Sequence, residues 1–325
     1  MFKFGNIEVK GKVVLAPMAG YTFTSYREFM NKFGVSLCYT EMVSVMGLIY
    51  GNDETFSYIK FPKSDVPTGV QLFGSEPDTF VKAVGICEEF NPNIDFYDVN
   101  MGCPVDKVTK TGAGSSLLKN PKLCGDIIRA IKSATNKPVS AKIRLGWDNK
   151  SINFIEVIEE LEKAGIDMIA IHARTTKDLY IGKPRYELIK DLRSKMHVPL
   201  VVSGNIYTPE DAVNALEITG ADAVMVARGG VGNPRLITNI NNIINNKDIN
   251  TPCLQEQIKY CKELAKMICD EKGEYMGIRI FRAMGSKFFN GFPHCKELKQ
   301  RITTETFSYD DLEMIIDEYL LEYTD

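Results

Sequence analysis

Short apolar runs alternate with amphipathic stretches from residue 13 to about residue 228. The amphipathic stretches carry apolar side chains at helical spacing, as at Ile155, Ile158 and Leu161. This alternation is the pattern of βα units on a parallel sheet. The eight runs lie at 13–16, 37–40, 69–72, 96–100, 139–143, 168–172, 200–203 and 223–226. Eight runs, each followed by a helical pattern, predict an α/β fold of the (β/α)8 TIM-barrel type rather than an open doubly wound sheet.

Local signals place the ends of two of the helices. Ser151 precedes an amphipathic stretch, and Thr208 is followed by a proline and an acidic residue, so both are expected N-caps. Gly165 and Gly220 each stand just before an apolar run, where glycine commonly ends a helix. The signals therefore predict helices after the fifth and seventh runs.

Beyond residue 228 the apolar runs stop and only helical spacing follows, for example at Tyr260, Leu264 and Ile268. We therefore expect two domains, a catalytic barrel over residues 1–240 and an all-helical domain over residues 250–325. The asparagine-rich stretch 239–252 is the expected connection. Its first half, as far as Asn246, fits a continuation of the last barrel helix equally well.

The composition is that of an ordinary globular protein, with 325 residues, 44% hydrophobic and 25% charged. No stretch approaches the roughly 18 apolar residues of a membrane span, and the amino terminus lacks the layout of a secretion signal. We expect a cytoplasmic protein with no membrane partner. Eight cysteines without a CxxC pair and three histidines give no zinc-finger or disulfide spacing, so no metal is expected.

The charge is unevenly distributed. A net charge of −3 argues against binding nucleic acid through overall charge alone. Between residues 279 and 301, however, Glu297 is the single acid among six basic residues. These are Arg279, Arg282, Lys287, Lys296, Lys299 and Arg301. The stretch fits a local basic face for a polyanion, and by itself it fits a solvated helix face as well.

Glycines follow the last two apolar runs, at Gly204 and Gly229. Active sites of such barrels lie at the carboxyl ends of the strands, and phosphate commonly binds after the seventh and eighth. There, backbone N–H groups at a helix start can hold an anion. Either glycine alone would be an ordinary tight turn, but the pair predicts a phosphate site.

Lys142 lies inside an otherwise apolar run. Burying an ammonium group costs several kcal/mol unless an anion or acceptor meets it. The electron-rich edge of a flavin ring, held also by Gln71, would supply that acceptor and favours FMN. An ion pair with Glu41 explains the lysine about equally well.

Cys103 follows the fourth run in a Gly-Cys-Pro turn on the expected catalytic rim, without a histidine positioned to activate it as a nucleophile. An ordinary thiol, with a pKa of about 8.5, is protonated at neutral pH and can donate a proton. The loop position therefore favours a catalytic acid. A structural role is expected for Cys38, Cys87, Cys124, Cys261 and Cys269.

Five motifs stand in the order found in the tRNA-dihydrouridine synthase family. They are APMAGYT at 16–22, DVNMGCP at 98–104, TGAGSSLL at 111–118, KIRLGWD at 142–148 and IHART at 171–175. The chain resembles the bacterial FMN-dependent branch of this family over essentially its whole length, including RIFRAMGSKFFNGFP at 279–293. NMGCP and GAGSSLL are the specific motifs, whereas PMAG and the phosphate glycines also occur in other flavin barrels.

The resemblance implies an FMN enzyme, recharged by NADPH, that reduces the C5–C6 double bond of specific uridines in tRNA. Hydride would pass from flavin N5 to C6, and Cys103 would protonate C5. The implied cofactor residues are Pro17, Met18, Ala19, Gln71, Lys142, His172, Ser203, Gly204, Asn205, Ala227 and Arg228. The implied substrate contacts are Asn100, Arg144, Arg174, Arg279, Arg282 and Lys287. No obligate protein partner is evident.

The chain departs from the family pattern at several positions. Ala173 stands where the family usually has glycine, and the turns at 203–205 and 227–229 read Ser-Gly-Asn and Ala-Arg-Gly instead of Asn-Gly-Asp and Gly-Arg-Ala. Ala283 and Met284 stand where a Lys-His pair is common.

Two other functions fit parts of the sequence. A different FMN barrel, acting on a small pyrimidine or an enone, would share Lys142 and the phosphate glycines but would not need the basic helical region. An RNA-binding protein on an inactive barrel would need neither Cys103 nor Lys142. Affinity for folded RNA would distinguish a tRNA-dihydrouridine synthase from the first alternative, and bound flavin would distinguish it from the second.

Overall fold

The computed structural model describes residues 1–324, which contain a parallel sheet and an extended helical region. The strands are β1 (Phe2–Phe4), β2 (Ile7–Val9), β3 (Val13–Leu15), β4 (Cys38–Ser44), β5 (Thr68–Phe73), β6 (Phe96–Met101), β7 (Val139–Arg144), β8 (Met168–His172), β9 (Leu200–Ser203) and β10 (Ala223–Val226). The helices of the first two-thirds are α1 (Thr24–Asn31), α2 (Val45–Ile49), α3 (Asp53–Ile59), α4 (Pro77–Phe90), α5 (Asp106–Thr109), α6 (Pro121–Ala134), α7 (Phe154–Lys163) and α8 (Pro209–Thr219). The later helices are α9 (Arg235–Ile244), α10 (Leu254–Lys272), α11 (Glu274–Gly285), α12 (Cys295–Thr304) and α13 (Tyr309–Thr324).

Eight parallel strands form one sheet in the order β3-β10-β9-β8-β7-β6-β5-β4. The two end strands meet through a parallel bridge between Val14 and Leu37, and the Leu15 N–H donates to the Leu37 carbonyl at 2.9 Å. The sheet therefore closes on itself, which confirms the predicted TIM-barrel fold. Each predicted apolar run falls on one of these strands, and the runs at 168–172, 200–203 and 223–226 match their strands at both ends.

Two predictions about the helices were wrong: that a helix follows β8, and that Ser151 is an N-cap. No α-helix directly follows β8, because two short 3-10 helices, Tyr186–Ile189 and Leu192–Lys195, take its place. Ser151 is not an N-cap: its hydroxyl donates to Asp148 at 2.8 Å within a turn, and α7 begins at Phe154. The other boundary predictions hold, since α8 begins at Pro209 and the left-handed Gly165 and Gly220 follow their helices.

An antiparallel hairpin of β1 and β2, which the hydrophobic pattern did not predict, covers the amino ends of the barrel strands. Phe2 and Phe4 join the buried cluster inside the barrel, and the Phe4 ring packs edge-on against Phe96 at 5.1 Å. The cluster also holds Val9, Val14, Ala16, Leu37, Tyr39, Met168, Ala170, Val201, Ala223 and Met225. This end of the barrel is apolar, so ligand chemistry is confined to the opposite end.

The chain divides into two compact units. The first comprises residues 1–22, 35–206 and 210–227 and contains the barrel strands. The second comprises residues 23–34, 207–209 and 228 onward, so it contains α1 and α9 to α13. The asparagine-rich stretch is helical as far as Ile244, as the second of its two interpretations expected. The functional division into a cofactor domain (1–240) and an RNA domain (250–325) stays a prediction.

The second unit has its own apolar core. Phe281, Met284, Phe288 and Phe289 are fully buried in it. On α1, the Ser25 N–H donates to Glu271 of α10 at 2.6 Å. Across residues 1–324, no helix combines the length and apolar character that crossing a membrane requires.

Candidate active site

Polar side chains gather at the carboxyl ends of β5 to β8. Asn100 lies beside Lys142 in the β6–β7 register, and Arg144 lies beside His172 in the β7–β8 register. His172 in turn lies beside Ser203 of β9. The sequence-predicted residues on these strands are therefore brought to one rim of the barrel, which is where a barrel active site is built.

A buried chain of hydrogen bonds connects three of these strands. Ser140 Oγ and Gln71 Nε2 each donate to a different carboxylate oxygen of Asp98, both at 2.6 Å. Asn100 Nδ2 donates to Gln71 Oε1 at 2.8 Å, and Asn100 Oδ1 accepts from the Cys103 N–H at 2.9 Å. Because an ionised carboxylate only accepts, Asp98 sets the orientation of both amides. Sequence reasoning missed this role of Asp98, although an acid inside an apolar run was a visible signal.

The Asp98 carboxyl is buried, and each of its oxygens accepts a hydrogen bond. Burial raises its pKa to about 6, opposed by the hydrogen bonds from Ser140 and Gln71 and by the charge of Lys142. Above that pH both carboxylate oxygens are acceptors. The amide chain leading to Cys103 therefore has one defined polarity when Asp98 is ionised.

The Cys103 thiol is half-buried in the turn after β6. Its pKa is raised mainly by burial, with smaller lowering contributions from a backbone hydrogen bond and from Arg144 and Lys142. The thiol is therefore protonated at neutral pH, as a proton donor requires. Its backbone is held by Ser115, whose N–H and hydroxyl donate to the Cys103 carbonyl at 3.0 and 2.9 Å.

Gly114 permits this close packing. It has φ of +60°, and a Cβ there would lie 2.8 Å from the Cys103 carbonyl oxygen and 2.8 Å from Val108. We expect Gly114→Ala to lower the free energy of unfolding by about 2–4 kcal/mol, from the left-handed backbone and the overlap together. Urea unfolding would measure it.

A matched control separates the two contributions to the Gly114→Ala effect. Gly112 also has a positive φ, +79°. The atom nearest to a Cβ added there is the Cβ of Ser75, at 3.4 Å. Gly112→Ala should therefore carry only the backbone cost, about 1 kcal/mol. Equal losses in the two variants would contradict the proposed packing against Cys103.

Lys142 is a half-buried ammonium group on β7. Its pKa is lowered to about 8, mainly by burial and also by the charge of Arg144, while Asp98 and Cys103 oppose the shift. Within residues 1–324 it forms no hydrogen bond or ion pair, so the alternative ion pair with Glu41 is absent. Glu41 Oε1 instead accepts from the Gly20 N–H at 2.5 Å. A half-buried cation without a protein partner suits an electron-rich or anionic ligand.

The loop after β3 carries the predicted residues Pro17, Met18 and Ala19. Met18 is held by Thr22, whose hydroxyl accepts from its N–H at 3.0 Å, and it packs on the buried cluster of the barrel. Ala227, after β10, packs on the same cluster. Both residues therefore pack against the apolar interior of the barrel unit from loops that follow its strands.

His172 faces the guanidinium of Arg174, with Nη1 at 2.9 Å from Nε2. Because a guanidinium only donates, Nε2 must accept, so the imidazole is neutral and carries its proton on Nδ1. Arg174 also donates to Asn205 Oδ1 at 3.0 Å.

The turn after β9 has the donor set expected for a phosphate. Gly204 has φ of +131° and Asn205 has φ of +49°, and neither backbone N–H donates to another group within residues 1–324. A Cβ on Gly204 would lie 3.0 Å from Pro184 and 3.1 Å from His172. Free N–H groups beside a neutral imidazole suit an anion. Ser203 precedes this turn, whereas the exposed Arg228 begins a 3-10 turn in the second unit.

Arg144 and Arg174, predicted to contact substrate, are fully buried and donate to the protein itself. Arg144 donates to the carbonyls of Gly102 and Thr175, each at 2.8 Å, and to that of Leu179 at 2.7 Å. Arg174 donates to two further carbonyls of the same loop. Their contact with substrate stays a prediction.

In the second unit, the predicted basic residues are only partly accessible. Arg279 is exposed and donates to the Tyr275 hydroxyl at 2.6 Å, and Arg282 is half-buried above the Phe307 ring at 4.6 Å. Lys287 is half-buried, and Arg301 is paired with two glutamates. Arg279 and Arg282 form no ion pair within the described chain, and Arg282 Nε donates to the Thr306 carbonyl.

Comparisons with known proteins match most of this chain. The model of the dihydrouridine synthase family matches residues 14–320. The chain is 32% identical to tRNA-dihydrouridine synthase B of Vibrio vulnificus over 324 residues, covering 99% of this chain and 98% of that protein. It is 33% identical to tRNA-dihydrouridine synthase B of Shewanella oneidensis over 281 residues, 86% of this chain and 87% of that protein.

A solved structure shares the fold. An old yellow enzyme homologue from Zymomonas mobilis superposes with a TM-score of 0.50 at 13% sequence identity, covering 79% of this chain and 94% of its own. This likeness concerns the barrel architecture. The family match over most of the chain, together with relatives that align over nearly its full length, shows that the chain belongs to the dihydrouridine synthase family.

Proposed function

We propose that this protein is a tRNA-dihydrouridine synthase that binds FMN, takes its electrons from NADPH and reduces the C5–C6 double bond of specific uridines in tRNA. The observation that carries the proposal is the pairing on one rim of a protonated, half-buried thiol, Cys103, with a half-buried cation that has no protein partner, Lys142. The family membership and the named activity of the relatives support it.

The residues present fit FMN. The unpartnered Lys142 ammonium group suits the electron-rich edge of the ring, and Gln71 lies on the same rim. The free N–H groups of Gly204 and Asn205, beside the neutral His172, suit the phosphate. Pro17, Met18, Ala19, Ser203, Ala227 and Arg228 complete the proposed cofactor residues. Bound FMN would supply the hydride that adds to C6 of the uracil.

The protein's own residues supply the remaining steps. Hydride addition at C6 leaves an electron pair at C5, and the Cys103 thiol donates the proton that completes the two-electron reduction. Asn100 is proposed to hold the uracil. Its Oδ1 accepts from the Cys103 N–H, so the residue that orients the base is tied to the turn that carries the acid. The thiolate left behind is stabilised by Arg144 and Lys142.

RNA binding is proposed for the helical region, residues 250–325, and cofactor binding for residues 1–240. Arg279, Arg282 and Lys287 would meet phosphates, since they lie in the stretch 279–301, where Glu297 is the single acid among six basic residues. Phe288 and Phe289 are fully buried and are assigned to the core. Because the proposed substrate is tRNA, we place the protein in the cytoplasm.

One cuvette experiment tests the proposal. The purified protein should show flavin absorbance, NADPH should bleach it without oxygen, and tRNA lacking dihydrouridine should restore it while dihydrouridine appears in the digested RNA. Bleaching without restoration by tRNA would favour a small-molecule reductase. Absence of flavin, together with tight RNA binding, would favour a binding protein. Heat-unfolded tRNA is the control for recognition of folded RNA.

A further inference from the structure

The loop that follows β8, residues 175–182 and here termed the rim loop, exposes three consecutive large apolar side chains. Leu179 is 45% exposed, Tyr180 is 51% exposed and Ile181 is 78% exposed. Single exposed apolar residues are common, but a contiguous group beside a ligand site indicates a contact surface. The proposed reaction assigns no role to these side chains.

The rim loop is held in place from beneath by two buried arginines. Arg144 donates to the carbonyls of Thr175 and Leu179, and Arg174 donates to those of Ile181 and Gly182. Arg144 forms no ion pair within residues 1–324, so the loop carbonyls take the place of a counter-ion for it. Leu179 is kept in the left-handed region, with φ of +50°. The exposed side chains therefore stand on an ordered backbone.

The rim loop adjoins the turn that carries the proposed acid. Arg144 Nε donates to the Gly102 carbonyl at 2.8 Å, while Nη1 of the same guanidinium donates to Leu179 at 2.7 Å. One planar group thus joins the residue before Cys103 to the loop. The rim loop and the turn that carries Cys103 are therefore held against the same guanidinium.

The charge next to the rim loop favours an anionic partner. Lys177 of the loop and Lys119 lie over the Trp147 ring, at 5.4 and 3.4 Å from its centroid. Neither lysine forms an ion pair within the described chain, whereas the loop's acid, Asp178, is paired with Arg185. Exposed aromatic and apolar side chains combined with unpaired cations are the combination that binds unpaired nucleotides.

We propose that the rim loop, with Trp147, Lys119 and Lys177, is a preformed docking surface for the RNA strand that flanks the target uridine. Tyr180 and Ile181 pack against a neighbouring base, and the two lysines meet its phosphates. Arg144 and Arg174 are positioning residues that hold this surface. The inference rests on the proposed function, because it names where the RNA of that reaction would bind.

Substitution of Ile181 tests the apolar part of the surface. Ile181→Asn should weaken binding of unmodified tRNA about five- to tenfold, measured by fluorescence anisotropy, because a base loses its apolar contact. Ile155→Asn is the matched control, since Ile155 is an isoleucine of 45% exposure on α7 of the same unit. Flavin content and the rate of flavin reduction by NADPH should not change in either variant.

Substitution of the two lysines tests the charged part. The double variant Lys119→Ala and Lys177→Ala should lower the slope of log affinity against log salt by about one to two. If the wild type binds and reduces tRNA but the Ile181 and lysine variants bind it as Ile155→Asn does, the docking surface is refuted and the proposed function stands. Loss of flavin in Ile181→Asn would also refute it, by showing a structural or cofactor role. A wild type that neither binds nor reduces tRNA would refute the proposed function itself.

Discussion

Cys103→Ala should lower dihydrouridine formation about 10²- to 10⁴-fold while FMN binding and NADPH-driven flavin reduction remain close to wild type. The reason is that only the protonation of C5 uses the thiol. Its backbone contacts with Asn100 and Ser115 involve the N–H and the carbonyl, which alanine retains. Single-turnover measurements of flavin oxidation by tRNA would isolate the affected step.

The pH dependence of the wild type gives a second test of Cys103. Burial raises its pKa above the ordinary thiol value, so the proton is present at neutral pH and is lost only at more alkaline pH. The rate of flavin oxidation by tRNA should therefore fall on the alkaline side, and this limb should vanish in Cys103→Ala. Cys295→Ala is the control, because Cys295 is also half-buried but lies in the second unit. Equal loss of flavin and of activity in Cys103→Ala would show that Cys103 is structural.

Lys142→Met should stabilise the cofactor-free protein and weaken FMN binding at the same time. The unpartnered ammonium group is unfavourable in the folded state, so its removal should raise the free energy of unfolding at pH 7 by about 1–3 kcal/mol. The lost charge should weaken FMN binding about tenfold or more, because a charge-assisted hydrogen bond is lost. Chemical unfolding and flavin titration measure the two effects separately.

The stability gain from Lys142→Met should depend on pH in a defined direction. The pKa of Lys142 is lowered from 10.5 to about 8 in the folded state, so between these values the unfolded chain binds more protons. Wild-type stability should therefore rise from about pH 8 to 10.5, and the advantage of the variant should disappear over the same interval. Lys132→Met is the control, because Lys132 is paired with Asp167 at 2.8 Å and its loss should destabilise the protein. A destabilised Lys142→Met would show that the lysine has a protein partner.

The hydrophobic pattern determined the strands of this protein and the rim on which its chemistry lies. Strands of a parallel barrel are buried on both faces, so each appears in the sequence as a continuous apolar run bounded by polar residues. The polar residues at or near the carboxyl ends of those runs, Asn100, Lys142 and His172 among them, consequently lie at one end of the barrel. Cys103 and Lys142 could be selected because a thiol in a rim turn and a cation in an apolar strand are local features.

Only the tertiary structure decided which groups these residues meet. Glu41 binds the Gly20 N–H rather than Lys142, and Asp98 orients the amide of Gln71 across 27 residues of sequence. Arg144 reaches the carbonyl of Gly102, 42 residues away, and that of Leu179, 35 residues away. Two short 3-10 helices, Tyr186–Ile189 and Leu192–Lys195, stand where the sequence pattern predicted a helix after β8. Periodicity reports the environment of each residue along the chain, whereas a hydrogen bond depends on the distance between groups that only folding brings together.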